Sequence, residues 1–147
     1  MGPEKRGIEP RISVITLGVA DVPRAREFYR ALGWPLSGAP EEAVAFFRNA
    51  GSRLALYPLQ GLAEEAGQIP APPGSIRATL AINVESRELV DETLTRALQE
   101  GAELLQPAQD RFWGGYSGYF ADLDGHAWEV AYNPLWPVGE DGLPQLP

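Results

Sequence analysis

Two segments of the chain show the same change of hydrophobic periodicity, from alternation to a helical stripe. Residues 12–19 (ISVITLGV) alternate as a half-buried strand does. Asp21 follows as a helix N-cap candidate, and Gly33 is a candidate for the left-handed stop at the helix end. Between them lies an apolar stripe at helical spacing, made of Val22, Ala25, Phe28, Tyr29 and Leu32. The segment predicts a strand followed by an amphipathic helix.

The same plan recurs about 65 residues later, which indicates an internal repeat. Residues 78–84 (ATLAINV) predict a strand, Ser86 is the cap candidate, and Gly101 ends the helix. The second stripe consists of Leu89, Thr93, Leu94, Ala97 and Leu98. The chain is therefore expected to contain two copies of one structural unit.

The second part of each copy also matches. Residues 46–57 and 120–132 each predict a hairpin, with a turn rich in Gly, Asn or Asp between two strands. Aligning Gly51 with Gly125 places Leu54 on Trp128, Ala55 on Glu129 and Leu56 on Val130. A further short strand is expected before each hairpin, near residues 36–37 and 103–105. Each half is thus predicted to be β-α-β-β-β.

These elements predict one α+β domain over residues 1–147, in which two tandem βαβββ modules form a curved mixed sheet. The modules are residues 11–60 and residues 76–133. The linker, residues 61–75, is rich in Pro, Gly and Ala and is expected to hold a helical turn at residues 62–66. The proline-punctuated tail, residues 134–147, is expected to pack Leu135 and Trp136 onto the body.

Strand alternation divides the predicted strands into two faces. The apolar face is expected under the helices and contains Ile15, Leu17, Val19, Leu54, Leu56, Leu80, Ile82, Val84, Trp128 and Val130. We call the opposite one the small-residue face; it contains Val14, Thr16, Gly18, Arg53, Ala55, Tyr57, Thr79, Ala81, Asn83, Ala127, Glu129 and Ala131. Small residues on a curved sheet leave room for a ligand cleft. The alternative is that this face packs against the other half or a partner subunit.

Composition excludes several classes of function. The formal net charge is −8, the arginines are scattered and Lys5 is the only lysine, so there is no clustered basic footprint for nucleic acid. No run approaches the roughly 18 apolar residues that cross a membrane, and residues 1–10 lack the apolar core of a signal peptide. The absence of cysteine excludes disulfides and thiolate chemistry and is compatible with the cytoplasm, the expected location. The acidity either favours a cationic ligand or only keeps the surface hydrated.

Residues 16–34 (TLGVADVPRAREFYRALGW) and 114–134 (GGYSGYFADLDGHAWEVAYNP) resemble the two signatures of the vicinal oxygen chelate superfamily. That superfamily includes glyoxalase I, bleomycin-resistance proteins, fosfomycin-resistance enzymes and extradiol dioxygenases. The resemblance spans about residues 11–133 and implies the paired βαβββ fold, often as a homodimer. It specifies no activity, because this fold supports many chemistries.

The resemblance also implies four metal-ligand positions, which fall on Val14, Ala55, Thr79 and Glu129. Only the glutamate is a usual ligand, whereas a divalent metal needs three or four protein donors, so no cofactor is expected. His126 is the single histidine, which speaks against the two-histidine iron site of an extradiol dioxygenase. It follows the hairpin turn and is expected to be a turn residue with its side chain in water.

Glu129 is the one ionisable group of the small-residue face that could serve as a general base or acid, its pKa raised by an apolar pocket. Alternatively it pairs with Arg53 or Arg111, or anchors a cationic ligand. The loop of residues 111–116 carries aromatic rings that either bind a ligand or cap the sheet end. The expected ligand-binding residues are Arg53, Tyr57, Thr79, Asn83, Arg111, Trp113, Tyr116 and Glu129. Phe47 is a further candidate for the lining, although the sequence does not settle whether Phe46 or Phe47 faces the cleft.

The sequence leaves three hypotheses of function. The first is a protein that binds a small organic ligand in a metal-free cleft, as bleomycin-resistance proteins do. The second is a glyoxalase-type lyase or isomerase that uses Glu129 as general base or as a metal ligand. The third is a sensor or accessory domain that regulates a partner. A homodimer is expected in each case.

Overall fold

The computed structural model describes residues 7–38 and 43–147, so residues 1–6 of the N-terminal stretch 1–10 lie outside the described residues. The elements follow the predicted order, with one helix in the linker. They are β1 (Val14–Val19), α1 (Val22–Ala31), β2 (Ala45–Phe47), β3 (Arg53–Pro58), α2 (Leu59–Ala66), β4 (Leu80–Asn83), α3 (Arg87–Gln99), β5 (Glu103–Asp110), β6 (Tyr116–Ala121) and β7 (Ala127–Tyr132).

The strands form two mixed sheets rather than one. The first has the order β1-β3-β2 and the second β4-β7-β6-β5. In each sheet the first and last strands of the half are parallel neighbours, and the remaining pairs are antiparallel. The short strand expected near residues 36–37 is a single bridge between Leu36 and Phe47. The α+β class and the repeated βαβββ plan are confirmed.

The helix boundaries follow the predicted caps. Asp21 accepts a hydrogen bond from the backbone N–H of Arg24 at 3.0 Å, and Ser86 accepts one from that of Leu89 at 3.1 Å. The buried residues of α1 are Val22, Ala25, Phe28 and Tyr29, and those of α3 are Val90, Leu94 and Ala97. The prediction that Leu98 belongs to the buried stripe was wrong, because α3 turns Val90 inward and leaves Leu98 partly exposed.

The predicted apolar face forms one core that joins both halves. Tyr29 of α1 lies at its centre, with its ring centroid 6.0 Å from that of Phe47 and 5.9 Å from that of Trp128. Phe47 is 1% exposed and Phe46 46% exposed. The expectation that Phe47 lines the cleft was therefore wrong, because its register opposite Leu54 sends it to the core.

Helix α2 joins the first module to the linker and is longer than the helical turn predicted at residues 62–66. A Cβ atom on Gly18 would lie 2.6 Å from Cδ1 of Leu59, so only glycine lets α2 approach β1 this closely. Helix α2 therefore covers part of the small-residue face of the first half. Within the described part of the chain, no helix is long and apolar enough to cross a membrane.

The tail, residues 134–147, contacts the rest of the protein through Leu143 and not through Leu135 or Trp136. Leu135 and Trp136 are exposed, so the expectation that they pack onto the body was wrong. A bridge joins Val138 to Pro144, and Leu143 lies beside Gly51, where a Cβ atom would be 3.0 Å from its Cδ2. The tail thus returns to the hairpin of the first half.

Candidate functional site

A buried carboxylate organises the turn of the second hairpin. The backbone N–H groups of Asp124 and His126 donate to Oδ1 of Asp122, at 3.0 and 2.9 Å. The Tyr29 hydroxyl donates to Oδ2 and itself accepts from Nε1 of Trp128 at 3.0 Å. One carboxylate thereby links the turn to helix α1 and to the core.

The His126 ring completes this network. Its Nδ1 lies 3.1 Å from both carboxylate oxygens of Asp122, whose side chain is 2% exposed. The ring is 27% exposed, so His126 follows the turn as predicted and keeps partial access to water while it contacts Asp122. An ionised carboxylate only accepts hydrogen bonds, so Nδ1 carries the hydrogen and Nε2 is the free nitrogen. Among the residues that the structure describes, none hydrogen-bonds to Nε2.

The pair shifts the pKa of each partner. Burial opposes ionisation of Asp122, but the hydrogen bond and charge of His126, followed by Tyr29, outweigh it and lower the pKa of Asp122. Burial likewise disfavours the imidazolium, but the hydrogen bond and charge of Asp122, with the charge of Asp124, raise the pKa of His126. Burial and then the charge of Asp122 raise the pKa of Tyr29 well above its ordinary value.

A cavity of about 810 Å³ lies beside this histidine. Three segments line it: strand β1 at residues 15–18, residues 71–78, which run from the linker to just before β4, and the second hairpin at Ala121 and residues 124–127. Leu59, Leu80 and Leu105 add apolar walls, and Arg77 and Glu103 add charge. The volume is in the range of cavities that hold small organic ligands.

Glu129 lies outside this cavity but close to it. Ala127 lines the cavity and points to the same sheet face two residues earlier on β7, a step of about 7 Å. Glu129 is partly buried between Ala81 of β4 and Tyr119 of β6. Burial raises the pKa of the Tyr119 phenol, and the adjacent Glu129 carboxylate raises it further. This corner of the sheet can accept a hydrogen bond and take up or release a proton.

The loop after β5 folds back on the sheet. Arg111 donates from Nε to the Ser117 hydroxyl and from Nη2 to its carbonyl oxygen, both at 2.9 Å. The guanidinium also lies 5.7 Å from the Tyr119 ring centroid. The Trp113 ring covers Gly115, where a Cβ atom would clash, and Phe112 is fully exposed. The loop therefore holds Arg111 over the face that carries Glu129.

Among residues 7–38 and 43–147, Glu129 forms no ion pair with Arg53 or Arg111. Arg53 instead donates to the Asn49 carbonyl at 2.7 Å, at the far end of β3. Tyr57 lies against Gly61 of α2, and Thr79 is exposed just before β4. These residues are dispersed along the small-residue face.

Asn83 and Tyr116 complete the predicted set. Asn83 ends β4 beside Ala131. Tyr116 lies on the helix side of the sheet, where its hydroxyl donates to Asp91 at 2.7 Å and Arg87 lies over its ring. The structure therefore brings Glu129 and Arg111 near one another but not Tyr116. None of the eight predicted ligand residues lines the cavity beside His126. One wall of that cavity comes from the linker, whose position the hydrophobic pattern of the sequence did not predict.

The donor set does not fit a divalent metal. Val14 and Ala55 have hydrocarbon side chains, Thr79 offers one neutral hydroxyl, and Glu129 is the single strong donor of the four implied positions. Within the described ranges, no group of three or more His, Cys, Asp or Glu side chains is clustered to hold an ion. No step of a mechanism is therefore assigned to a metal.

Comparison with known proteins identifies the family. The profile of the Glyoxalase/Bleomycin resistance protein/Dioxygenase superfamily matches residues 11–130. A glyoxalase-related enzyme from Fulvimarina pelagi is 37% identical, with a TM-score of 0.84 over 93% of this chain and 98% of its own. A glyoxalase/bleomycin resistance protein/dioxygenase from Nocardioides is 27% identical, with a TM-score of 0.71 over 86% and 85%.

A lactoylglutathione lyase from Agrobacterium tumefaciens shares the fold, at 24% identity and a TM-score of 0.66 over 88% of this chain and 98% of its own. No curated protein matches the chain. The profile covers most of the sequence, and the Fulvimarina pelagi enzyme covers nearly all of it. The chain belongs to the glyoxalase/bleomycin resistance protein/dioxygenase superfamily.

Proposed function

We propose that this protein binds a small organic molecule between its two halves without a metal held by the protein. The observation that carries the proposal is the cavity of about 810 Å³ lined by β1, residues 71–78 and the second hairpin. Its walls are mainly apolar, with a few polar groups, which is the usual composition of a small-molecule site. The donor set at the four family positions supports the metal-free part of the proposal.

The predicted residues extend this site along the sheet. A ligand that fills the cavity and passes Ala127 reaches Glu129 at the next position of the same face. Arg111 and Tyr119 lie beside that position and offer a cation and a phenol. In this arrangement the cavity supplies affinity through apolar contact, and the Glu129 corner offers polar groups only to a ligand long enough to pass Ala127.

Calorimetry with the planar aromatic probe 1-methoxynaphthalene tests the proposal. The variant Ala127→Trp puts a large side chain into the cavity and should abolish binding. Ala66→Trp adds the same side chain at an exposed position outside the lining and should leave binding unchanged. Treatment with a chelator should also leave binding unchanged. Failure of the wild-type protein to bind, or equal binding by both variants, contradicts the proposal.

A second candidate is a lyase or isomerase in which Glu129 is the general base. The observation that favours it is the carboxylate beside the Tyr119 phenol, because such a pair can move a proton to and from a bound substrate. An activity screen with wild-type protein and Glu129→Gln tests this candidate. The substitution should remove turnover and leave probe binding in the cavity intact. A metal at stoichiometric occupancy in the purified protein would instead favour a metal-assisted reaction.

We also propose that the chain forms a homodimer. Strand β5 is exposed along nearly its whole length, and Leu104 and Leu105 are each about 40% exposed. An exposed pair of leucines on an edge strand is a candidate contact surface for a second copy of the chain. Light scattering at micromolar concentration should give twice the chain mass, and a monomer would refute this proposal.

A further inference from the structure

His126 is a polar residue of the cavity wall whose ring orientation is held by a buried hydrogen-bond network. Asp122 holds Nδ1 through both of its oxygens, and that carboxylate is itself held by Tyr29 and two backbone N–H groups. The ring therefore cannot turn without breaking a buried network. His126 lines the cavity, and none of the described residues hydrogen-bonds to Nε2, so we infer that this nitrogen is available to a molecule in the cavity.

The neutral ring presents Nε2 as a hydrogen-bond acceptor. Since Asp122 is ionised and can only accept, the hydrogen of the neutral imidazole stays on Nδ1. The neutral ring thus offers a lone pair toward the ligand, in the way a carboxylate orients a histidine in many proton-transfer sites. A matching ligand group must donate a hydrogen.

The surrounding charges select against an anion. Among the described residues, the charged groups of the cavity wall are Asp124 of the turn, Glu103 of β5 and Arg77 just before β4. The Asp122 carboxylate and the Tyr29 phenol lie behind the ring. The wall therefore carries two carboxylates and one guanidinium in addition to the His126–Asp122 pair. A neutral hydroxyl incurs no repulsion from these carboxylates, whereas a ligand carboxylate does.

We propose that the cavity binds a mainly apolar molecule with one neutral hydroxyl group, phenolic or alcoholic, which donates its hydrogen to Nε2 of His126. This inference rests on the proposed function, because it names the class of ligand for the same cavity. His126 acts as a binding residue that reads one donor group, and Asp122 is the positioning residue that fixes the tautomer.

The proposal predicts a linkage between binding and protonation. Because the hydroxyl is proposed to donate to the neutral imidazole, saturating ligand is expected to lower the pKa of His126, and acid is expected to weaken binding in the same measure. The raised pKa of the free protein makes this competition visible near neutral pH. An anionic ligand would have the opposite effect and raise that pKa.

The single histidine of the chain makes the measurement direct, because every imidazole resonance in an NMR spectrum belongs to His126. The probes are 1-naphthol and 1-methoxynaphthalene, which share a ring system and differ in the hydroxyl hydrogen. At about pH 8, 1-naphthol should bind about fivefold tighter or more, the effect of one hydrogen bond. At saturation it should lower the His126 pKa, while 1-methoxynaphthalene leaves that pKa unchanged.

Two variants locate the effect. His126→Phe keeps an aromatic ring but removes the acceptor, so both probes should then bind equally. Glu92→Gln makes a change at an exposed position of α3 outside the cavity lining and should keep the preference for 1-naphthol. The wild-type NMR titration stands without either variant should His126→Phe fail to fold.

The outcomes separate this inference from the proposed function. If neither probe binds, both proposals fail. If the two probes bind equally and neither moves the His126 pKa, the cavity is a binding site but the hydroxyl assignment is overturned. Tighter binding of 1-naphthoate with a rise in the His126 pKa would also overturn it, in favour of an anionic ligand.

Discussion

The two hairpins occupy matching places in the repeat, yet their turns are held by different chemistry. In the first, the Asn49 side chain accepts from the backbone N–H of Leu54 at 2.9 Å and donates to the Ser52 carbonyl at 2.6 Å. In the second, the Asp122 carboxylate accepts from two backbone N–H groups of the turn. Both side chains satisfy turn groups that the strands leave unpaired.

The difference is that the amide of Asn49 acts locally, whereas the carboxylate of Asp122 also reaches α1 and the imidazole. A carboxylate has two acceptor oxygens and a charge, so it can hold the turn, Tyr29 and His126 together. An amide in the same place would have neither the charge nor the second acceptor. A turn of ordinary geometry thereby becomes part of a cavity wall in one half and not in the other.

The largest expected effect is on Asp122. Asp122→Ala should lower the free energy of unfolding by about 3 kcal/mol or more, because it leaves a buried phenol and two backbone N–H groups without an acceptor. Urea unfolding followed by tryptophan fluorescence measures this loss. A loss below about 1 kcal/mol would show that the network does not hold the second hairpin to α1.

Asn49→Ala should cost less, about 1.5 kcal/mol, because it removes bonds confined to the first turn. The same urea titration applies. This variant should also leave ligand-probe binding unaltered, since Asn49 does not line the cavity. Equal losses for Asn49→Ala and Asp122→Ala would remove the distinction between the two turns.

The pH dependence of stability should come from the second turn. The lowered pKa of Asp122 contributes stability above the ordinary value near 3.9, and this is lost as pH falls through the lowered pKa. The raised pKa of His126 contributes stability below about pH 6.5, and this is lost as pH rises through the raised value. The unfolding free energy should therefore be highest between about pH 4 and pH 6.5.

His126→Gln should remove the decline above about pH 6.5, whereas Asn49→Ala should retain it because an amide does not titrate in this range. Thermal unfolding across a pH series records both profiles. A decline that persists in His126→Gln would assign it to another group.

The smallest expected effect is on the contact between the halves at the turn. Oδ1 of Asp124 accepts from the backbone N–H of Ala20 at 2.8 Å, at the exposed end of β1. Asp124→Ala should cost about 0.5–1 kcal/mol, since water can replace an exposed acceptor. Hydrogen exchange of the Ala20 amide should accelerate in this variant, and an unchanged exchange rate would contradict the assigned bond.

The fold was predictable from sequence because its signals are local. Alternation sent Leu54, Leu56, Trp128 and Val130 to the core, and all four are buried. The cap residues Asp21 and Ser86 marked the helix starts. Phe46 and Phe47 were ambiguous, since two adjacent aromatic residues satisfy either phase and only the pairing with β3 decides between them.

The cavity was not predictable by the same means. Its walls come from β1, the linker and the second hairpin, and more than a hundred residues separate β1 from that hairpin. The linker has no hydrophobic periodicity from which its position could be predicted. The segment of residues 122–126 contained a signal, a turn with two aspartates before a histidine. Its partner Tyr29 comes from the other half, so the pairing that orients the imidazole is a tertiary contact.

The linker supplies a wall that neither half contains. The two modules, residues 11–60 and 76–133, contribute β1 and the second hairpin to the cavity, whereas residues 71–75 belong to the chain between them. Separately expressed modules that reassemble would therefore be expected to recover the core, but their site would lack this wall and should bind the naphthalene probes more weakly.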